Sequence, residues 1–267
     1  MAKSTGWPVW YELMSAEPQG VAPFYKAVLG WDIPAEGMQM PTGSEYRAIG
    51  RADGGQIGGL LTLTPDMLEM GMAPGWLPYF HAAPVDEVAE KVWEAGGSVP
   101  LPPMDMPQAG RLAMMADPQG AHFYVIDPQP PEDQPDAQSD VFSTSVPGRC
   151  GWNQLDTSDA PAASRFYRAL FDWNTDQMMP MGPAGDYRFI EMDGTQIGAF
   201  NPMKPEDVPP NWLPFFRVAD VDAAFAAASE AGGTIIQQIH EIPSGDSIFV
   251  AIDPAGARLG LVGPRGE

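Results

Sequence analysis

Cysteine is nearly absent: Cys150 is the only one in 267 residues. That excludes an intrachain disulfide framework and any multi-cysteine metal site, and it fits a reducing compartment. Histidine is almost as scarce, with three residues, so imidazole for metal binding or acid–base work is limited. Basic side chains are few as well. The 14 Lys and Arg residues stand against 35 Asp and Glu, for a net charge of −21. A surface this negative repels phosphate backbones and anionic headgroups, so neither nucleic acid nor a membrane surface is an expected partner. No run of about 18 apolar residues occurs, and Met1 to Pro8 holds no apolar stretch of signal-peptide length. A soluble, cytoplasmic chain is expected. Gly-x-Ser-x-Gly, Gly-x-Gly-x-x-Gly and phosphate-loop motifs are all missing, so no nucleophile elbow or nucleotide cradle is legible.

What the sequence does have is apolar material, 44% of residues, and an internal repeat. Trp10 to Trp31 matches Trp152 to Trp173, each with Trp at the start, Phe-Tyr fourteen residues on, and a closing Trp. Tyr46-Arg47 answers to Tyr187-Arg188, Gln56-Ile57-Gly58 to Gln196-Ile197-Gly198, and Trp76-Leu77-Pro78 to Trp212-Leu213-Pro214. Ala95-Gly96-Gly97 answers to Ala231-Gly232-Gly233, and Asp117-Pro118 with Gly120 to Asp253-Pro254 with Gly256. Order and spacing persist throughout, so the chain is a duplication. The copies span residues 1–126 and 149–267. Between them, residues 127–148 are rich in proline and acid without amphipathic period, which reads as an extended linker.

Each copy divides again. Val9 to Met14 and Asn153 to Thr157 alternate as strands do. Pro23 to Leu29 and Pro161 to Leu170 carry apolar residues at helical spacing with proline near the start. Strand-like segments follow at 46–51 and 56–63, joined by Asp53-Gly54-Gly55. Then 76–82 reads as a strand, 85–95 as a helix stopped by Gly96-Gly97, and 112–115 and 122–126 as strands. The repeating unit is one strand, one helix and three strands, taken twice per copy.

Three features of this pattern carry a family resemblance: Trp-x-x-Leu ahead of Phe-Tyr and Leu29-Gly30-Trp31, Val218 to Asp222 ahead of a helix ending in Ala-Gly-Gly, and Asp-Pro-x-Gly before the last strand. Together they resemble the vicinal oxygen chelate superfamily, the glyoxalase, bleomycin-resistance and extradiol-dioxygenase group, and within it the two-domain bacterial glyoxalase-like proteins. The resemblance implies an α+β fold of tandem duplicated domains, each of two βαβββ modules curved into an eight-stranded cup around a ligand.

It also implies where a metal would be held. In metal-using members, His, Gln or Glu ligands stand on the first strand, on the first strand of the second module, and on the last strand. Here those places carry Trp10 and Trp152, Leu77 and Leu213, and Tyr124 and Gly260. Indole, isobutyl and glycine cannot ligate a divalent ion, so no cofactor is expected. In-phase strand positions give the expected cup lining: Trp10, Glu12, Tyr79, His81, His122 and Tyr124 in the first copy, and Trp152, Gln154, Phe215, Arg217 and Arg258 in the second. Aromatic walls with a few polar groups suit a small organic molecule.

Two alternatives stand beside this reading. Glu12, His81 and His122 could form a shifted site for one divalent metal ion, supporting glyoxalase-type lyase, isomerase or dioxygenase chemistry. Otherwise the cups could be filled by their own side chains, leaving a structural or interaction role. The repeated Tyr46-Arg47 and Tyr187-Arg188 pairs combine either a stacking ring with an anion clamp or a core ring with a surface charge.

Overall fold

The computed structural model describes residues 4–40, 43–130, 137–203 and 209–266. The first copy runs β1 (Pro8–Ser15), α1 (Pro18–Leu29), β2 (Met38–Gln39), β3 (Glu45–Gly50), β4 (Gln56–Thr62), α2 (Pro65–Glu69), β5 (Gly75–His81), α3 (Val85–Glu94), β6 (Ser98–Met106), β7 (Gly110–Ala116) and β8 (His122–Pro128). The second repeats it as β9 (Cys150–Thr157), α4 (Ala160–Leu170), β10 (Met178–Pro180), β11 (Asp186–Met192), β12 (Thr195–Pro202), β13 (Asn211–Arg217), α5 (Val221–Glu230), β14 (Thr234–Glu241), β15 (Ser247–Ile252) and β16 (Arg258–Gly263). Each copy forms one eight-stranded curved sheet, in the order β2-β3-β4-β1-β5-β8-β7-β6 and its counterpart β10-β11-β12-β9-β13-β16-β15-β14. The fold is the expected tandem α+β duplication.

Two local departures have physical causes. Helix α1 begins at Pro18 rather than near Pro23, which lies inside it. Pro18 sits where its missing N–H would be unpaired in any case, so it starts the helix, and Pro23 gives up one backbone bond. The interrepeat segment is not simply extended. Val141 is 2% exposed within a core cluster. Asp140 accepts from Arg51 and Arg149, both at 2.6 Å, and Ser139 Oγ donates to the Val9 carbonyl at 2.6 Å.

Packing crosses the repeat boundary, although sheet pairing does not. One compact unit comprises residues 1–9, 78–139 and 152–212; the other comprises 10–77, 140–151 and 213–267. Each therefore joins half of one copy to half of the other. In the first unit, the Tyr167 hydroxyl of the second copy donates to Asp117 of the first at 3.3 Å, Trp212 Nε1 donates to that hydroxyl at 3.1 Å, and Trp173 stacks on the Tyr167 ring. In the second unit the roles are exchanged. Tyr25 donates to Asp253 at 2.9 Å, Trp76 donates to Tyr25 at 3.0 Å, and Trp31 stacks on Tyr25.

The repeated motifs are the parts of this reciprocal clasp. In Ala-Gly-Gly, the first glycine takes the left-handed cap conformation, φ 84° at Gly96 and 85° at Gly232. The second lets the other copy's Phe approach: a Cβ on Gly233 would stand 2.5 Å from the Phe24 ring, and one on Gly97 3.2 Å from Phe166.

Candidate functional site

Alternation along β1 sends Tyr11 and Leu13 into the core and leaves Trp10 and Glu12 on the opposite sheet face. Trp10 is only partly buried, and its indole N–H donates to the Tyr46 hydroxyl on β3 at 2.7 Å. Tyr46 lies flat against β4 at Gly59, where a Cβ would come within 2.1 Å of the phenol oxygen. Gly59 is also the register partner of Glu12. Glycine is needed there for the ring to reach the indole. Burial raises the Tyr46 pKa strongly, the Glu12 charge raises it further, and the Trp10 bond opposes both. Tyr46 is a neutral phenol at any ordinary pH.

The second copy builds the same pair and extends it. Trp152 donates to the Tyr187 hydroxyl at 2.9 Å, and Tyr187 donates to Gln154 Oε1 at 3.0 Å. Gln154 Nε2 and Asn201 Nδ2 each donate to Asp156 Oδ1 at 2.8 Å. Phe189 meets both rings edge-on. Burial holds Tyr187 well above the usual phenol range too. The indole–phenol pair is thus duplicated, and the polar group beside it is a carboxylate in one copy and an amide chain in the other.

Of the remaining expected lining residues, Tyr79 and Tyr124 are stacked at 4.2 Å and nearly parallel. Phe215 lies over Gly260, where a Cβ would be 2.2 Å from its ring. Arg217 donates to Asp246 at 2.9 Å, and Arg258 opens β16.

The two strand histidines do not converge. In the parallel pair β5–β8, Tyr79 is level with Tyr124 and His81 with Ile126. His122 is four residues back from Ile126, roughly 13 Å along the strand at about 3.3 Å per residue. His122 is exposed, whereas His81 Nδ1 is buried without a hydrogen-bond partner among the described residues. The expectation of a shifted Glu12, His81, His122 site meets this obstacle of register: sharing a strand face does not bring side chains to one height. Among the described residues, no group of three His, Cys, Asp or Glu side chains could hold a metal ion.

Sequence reasoning did not place Tyr46, Tyr187, Gly59 or Asn201 at the site. The repeated Tyr-Arg pair was the available signal, but its pairing with the first-strand Trp depends on strand order.

Comparison with known proteins agrees with this architecture. Residues 11–126 match the glyoxalase-like domain model, and residues 150–261 match the model of the glyoxalase/bleomycin resistance protein/dioxygenase superfamily. The chain belongs to that superfamily. Among its relatives is "Putative glyoxylase CFP32" of Mycobacterium tuberculosis, 29% identical over 261 residues, covering 97% of this chain and 95% of that one. Another is "Anthracycline biosynthesis protein DnrV" of Streptomyces peucetius, 29% identical over 268 residues, covering 96% and 93%. Similar solved structures include the Mn(II)-bound glyoxalase from Novosphingobium aromaticivorans, with TM-score 0.67, 15% identity and coverage of 99% of this chain and 84% of that one. The 2,3-dioxygenase LapB from Pseudomonas sp. KL28 has TM-score 0.63, 12% identity and coverage of 99% and 94%.

A divalent metal, as the superfamily implies, does not fit the residues at its usual places. Trp10 and Trp152 have their indole N–H groups committed to phenols, and Leu77, Leu213 and Gly260 offer no donor atom. Tyr124, stacked and buried, is the one oxygen among the six positions.

Proposed function

We propose that this protein binds a small, planar aromatic or otherwise hydrophobic compound in its sheet-lined cups without a metal ion or other cofactor. The observation that carries the reading is the indole–phenol pair, built in both copies at the first-strand place that the family resemblance implies for a metal ligand. Partly buried rings with a fixed polar edge offer stacking area and one or two hydrogen bonds, the usual makings of an organic-ligand site. The relative named for anthracycline biosynthesis supports the ligand class, since an anthracycline is a fused-ring aromatic compound. The residues at hand suit sequestration, delivery or sensing of such a molecule better than its metal-assisted conversion.

The test is calorimetric titration of EDTA-treated protein with 1,8-dihydroxyanthraquinone. Saturable binding is expected, weakened about tenfold, or about 1.4 kcal/mol, in Trp10→Ala or Trp152→Ala. Binding that requires an added divalent ion, or that ignores both substitutions, overturns the proposal.

A further inference from the structure

The repeated Tyr-Arg pairs end in different environments. Alternation puts Tyr46 and Tyr187 beside the first-strand indoles, so Arg47 and Arg188 leave their strands on the helix side. Arg47 is absorbed there: it is 5% exposed and bonds to Thr62 at 2.7 Å, to the Ala35 carbonyl at 3.3 Å, and to Glu45. Arg188 is not. Its nearest carboxylate among the described residues, Asp186, is 3.8 Å away. A buried Nε without a hydrogen-bond partner among the described residues is common to both arginines, so the difference lies in their terminal nitrogens.

Arg188 instead lines an open groove of about 410 Å³ together with Pro161, Ser164, Arg165 and Arg168 of α4. Arg165 and Arg168 are three residues apart and project from one helix face. Arg165 is exposed and has no hydrogen-bond or ion-pair partner among the described residues. Among the described residues Arg168 holds only Asp176, at 3.0 Å, in a pair that is 49% and 75% exposed. Such a surface pair is worth little and exchanges readily for a better anion.

Three of the chain's 14 basic residues thus meet in one groove of a molecule with net charge −21. The duplication supplies an internal comparison. At the matching places of the first copy stand Pro23, Lys26 and Arg47, whose two terminal nitrogens are taken by Thr62, Ala35 and Glu45, and Lys26 is paired with Asp32 at 2.8 Å. The basic cluster belongs to the second copy alone.

We infer that this groove is a binding site for a phosphate-bearing small molecule, separate from the sheet-face site. Three guanidinium forks from two elements can surround a tetrahedral dianion, whereas a carboxylate is satisfied by one fork. The surrounding acidic surface makes binding depend on these contacts rather than on long-range attraction, and screening by salt reduces the opposing field.

The probe is inorganic phosphate, titrated calorimetrically at fixed ionic strength against chloride, with acetate and succinate as carboxylate arms. Saturable phosphate binding is expected, at least tenfold tighter than either carboxylate. It should weaken at least tenfold in the exposed double variant Arg165→Gln/Arg168→Gln and in Arg188→Gln, and stay unchanged in Lys26→Gln. Circular dichroism of each variant confirms that the fold is kept. The inference is overturned if phosphate gives no more heat than chloride, if a carboxylate binds as tightly, or if the arginine variants bind like the parent.

Discussion

At the scale of single residues, the clasp between the copies rests on two buried carboxylates. Asp117 and Asp253 each accept two backbone N–H groups of their own turn and one tyrosine hydroxyl from the other copy. Burial raises both pKa values despite those bonds, so each withdraws stability as pH rises through its raised folded value. Replacing Tyr25 or Tyr167 with Phe removes one donor and leaves a buried carboxylate oxygen poorly satisfied. A loss of about 1–3 kcal/mol is expected, measured by urea unfolding at pH 7. A Tyr25→Phe variant as stable as the parent would show that the hydroxyl contributes nothing.

Asp53 works in the opposite direction. The Gly55 N–H, Arg51 and Arg149 hold it down to about 2. Its stabilisation is complete above the unfolded aspartate value and is lost as pH falls toward the folded value. Asp53→Asn should therefore flatten the acid limb of stability between about pH 4 and pH 2, read from unfolding midpoints across a pH series. An acid limb as steep as the parent's would assign that loss to other carboxylates.

At the scale of elements, strand phase and helix stops were legible in the sequence because period and glycine chemistry are local. The start of α1 was not, because two prolines compete for the same role and only the backbone path decides between them. Register between strands was also hidden. It separates His81 from His122, which alternation alone places on one face, and it brings Tyr46 under Trp10. Capping is another local device. The Asp220 side chain accepts from the N–H groups of Asp222 and Ala223 at 2.9 and 3.0 Å at the head of α5. Asp220→Ala should lower stability by about 1 kcal/mol, seen as a lower thermal midpoint with an unchanged far-ultraviolet spectrum. No shift in midpoint would mean that solvent replaces the cap.

At the scale of the whole molecule, the duplication was plain from spacing, but the exchange of halves between compact units was not. Long-range packing partners leave no periodic mark, and the motifs that make the clasp read equally well as intrarepeat structure. The same blindness applies to the groove of Arg165, Arg168 and Arg188: the helical pair is visible at its spacing, and its sheet partner is not. What the family resemblance led us to expect is that other residues stand at the ligand places in both copies at once, Trp10 with Leu77 and Tyr124, and Trp152 with Leu213 and Gly260. The structure adds that both indoles are hydrogen-bonded to phenols, and binding without a metal follows as our reading of the site.

The measurement that bears on that reading most directly is the divalent-metal content of protein purified without chelator, by inductively coupled plasma mass spectrometry. Metal far below one ion per chain is the predicted result, with no gain in thermal stability on adding Mn(II), Zn(II) or Fe(II). About one tightly held ion per chain, lost in a His81→Ala/His122→Ala double variant, would contradict it.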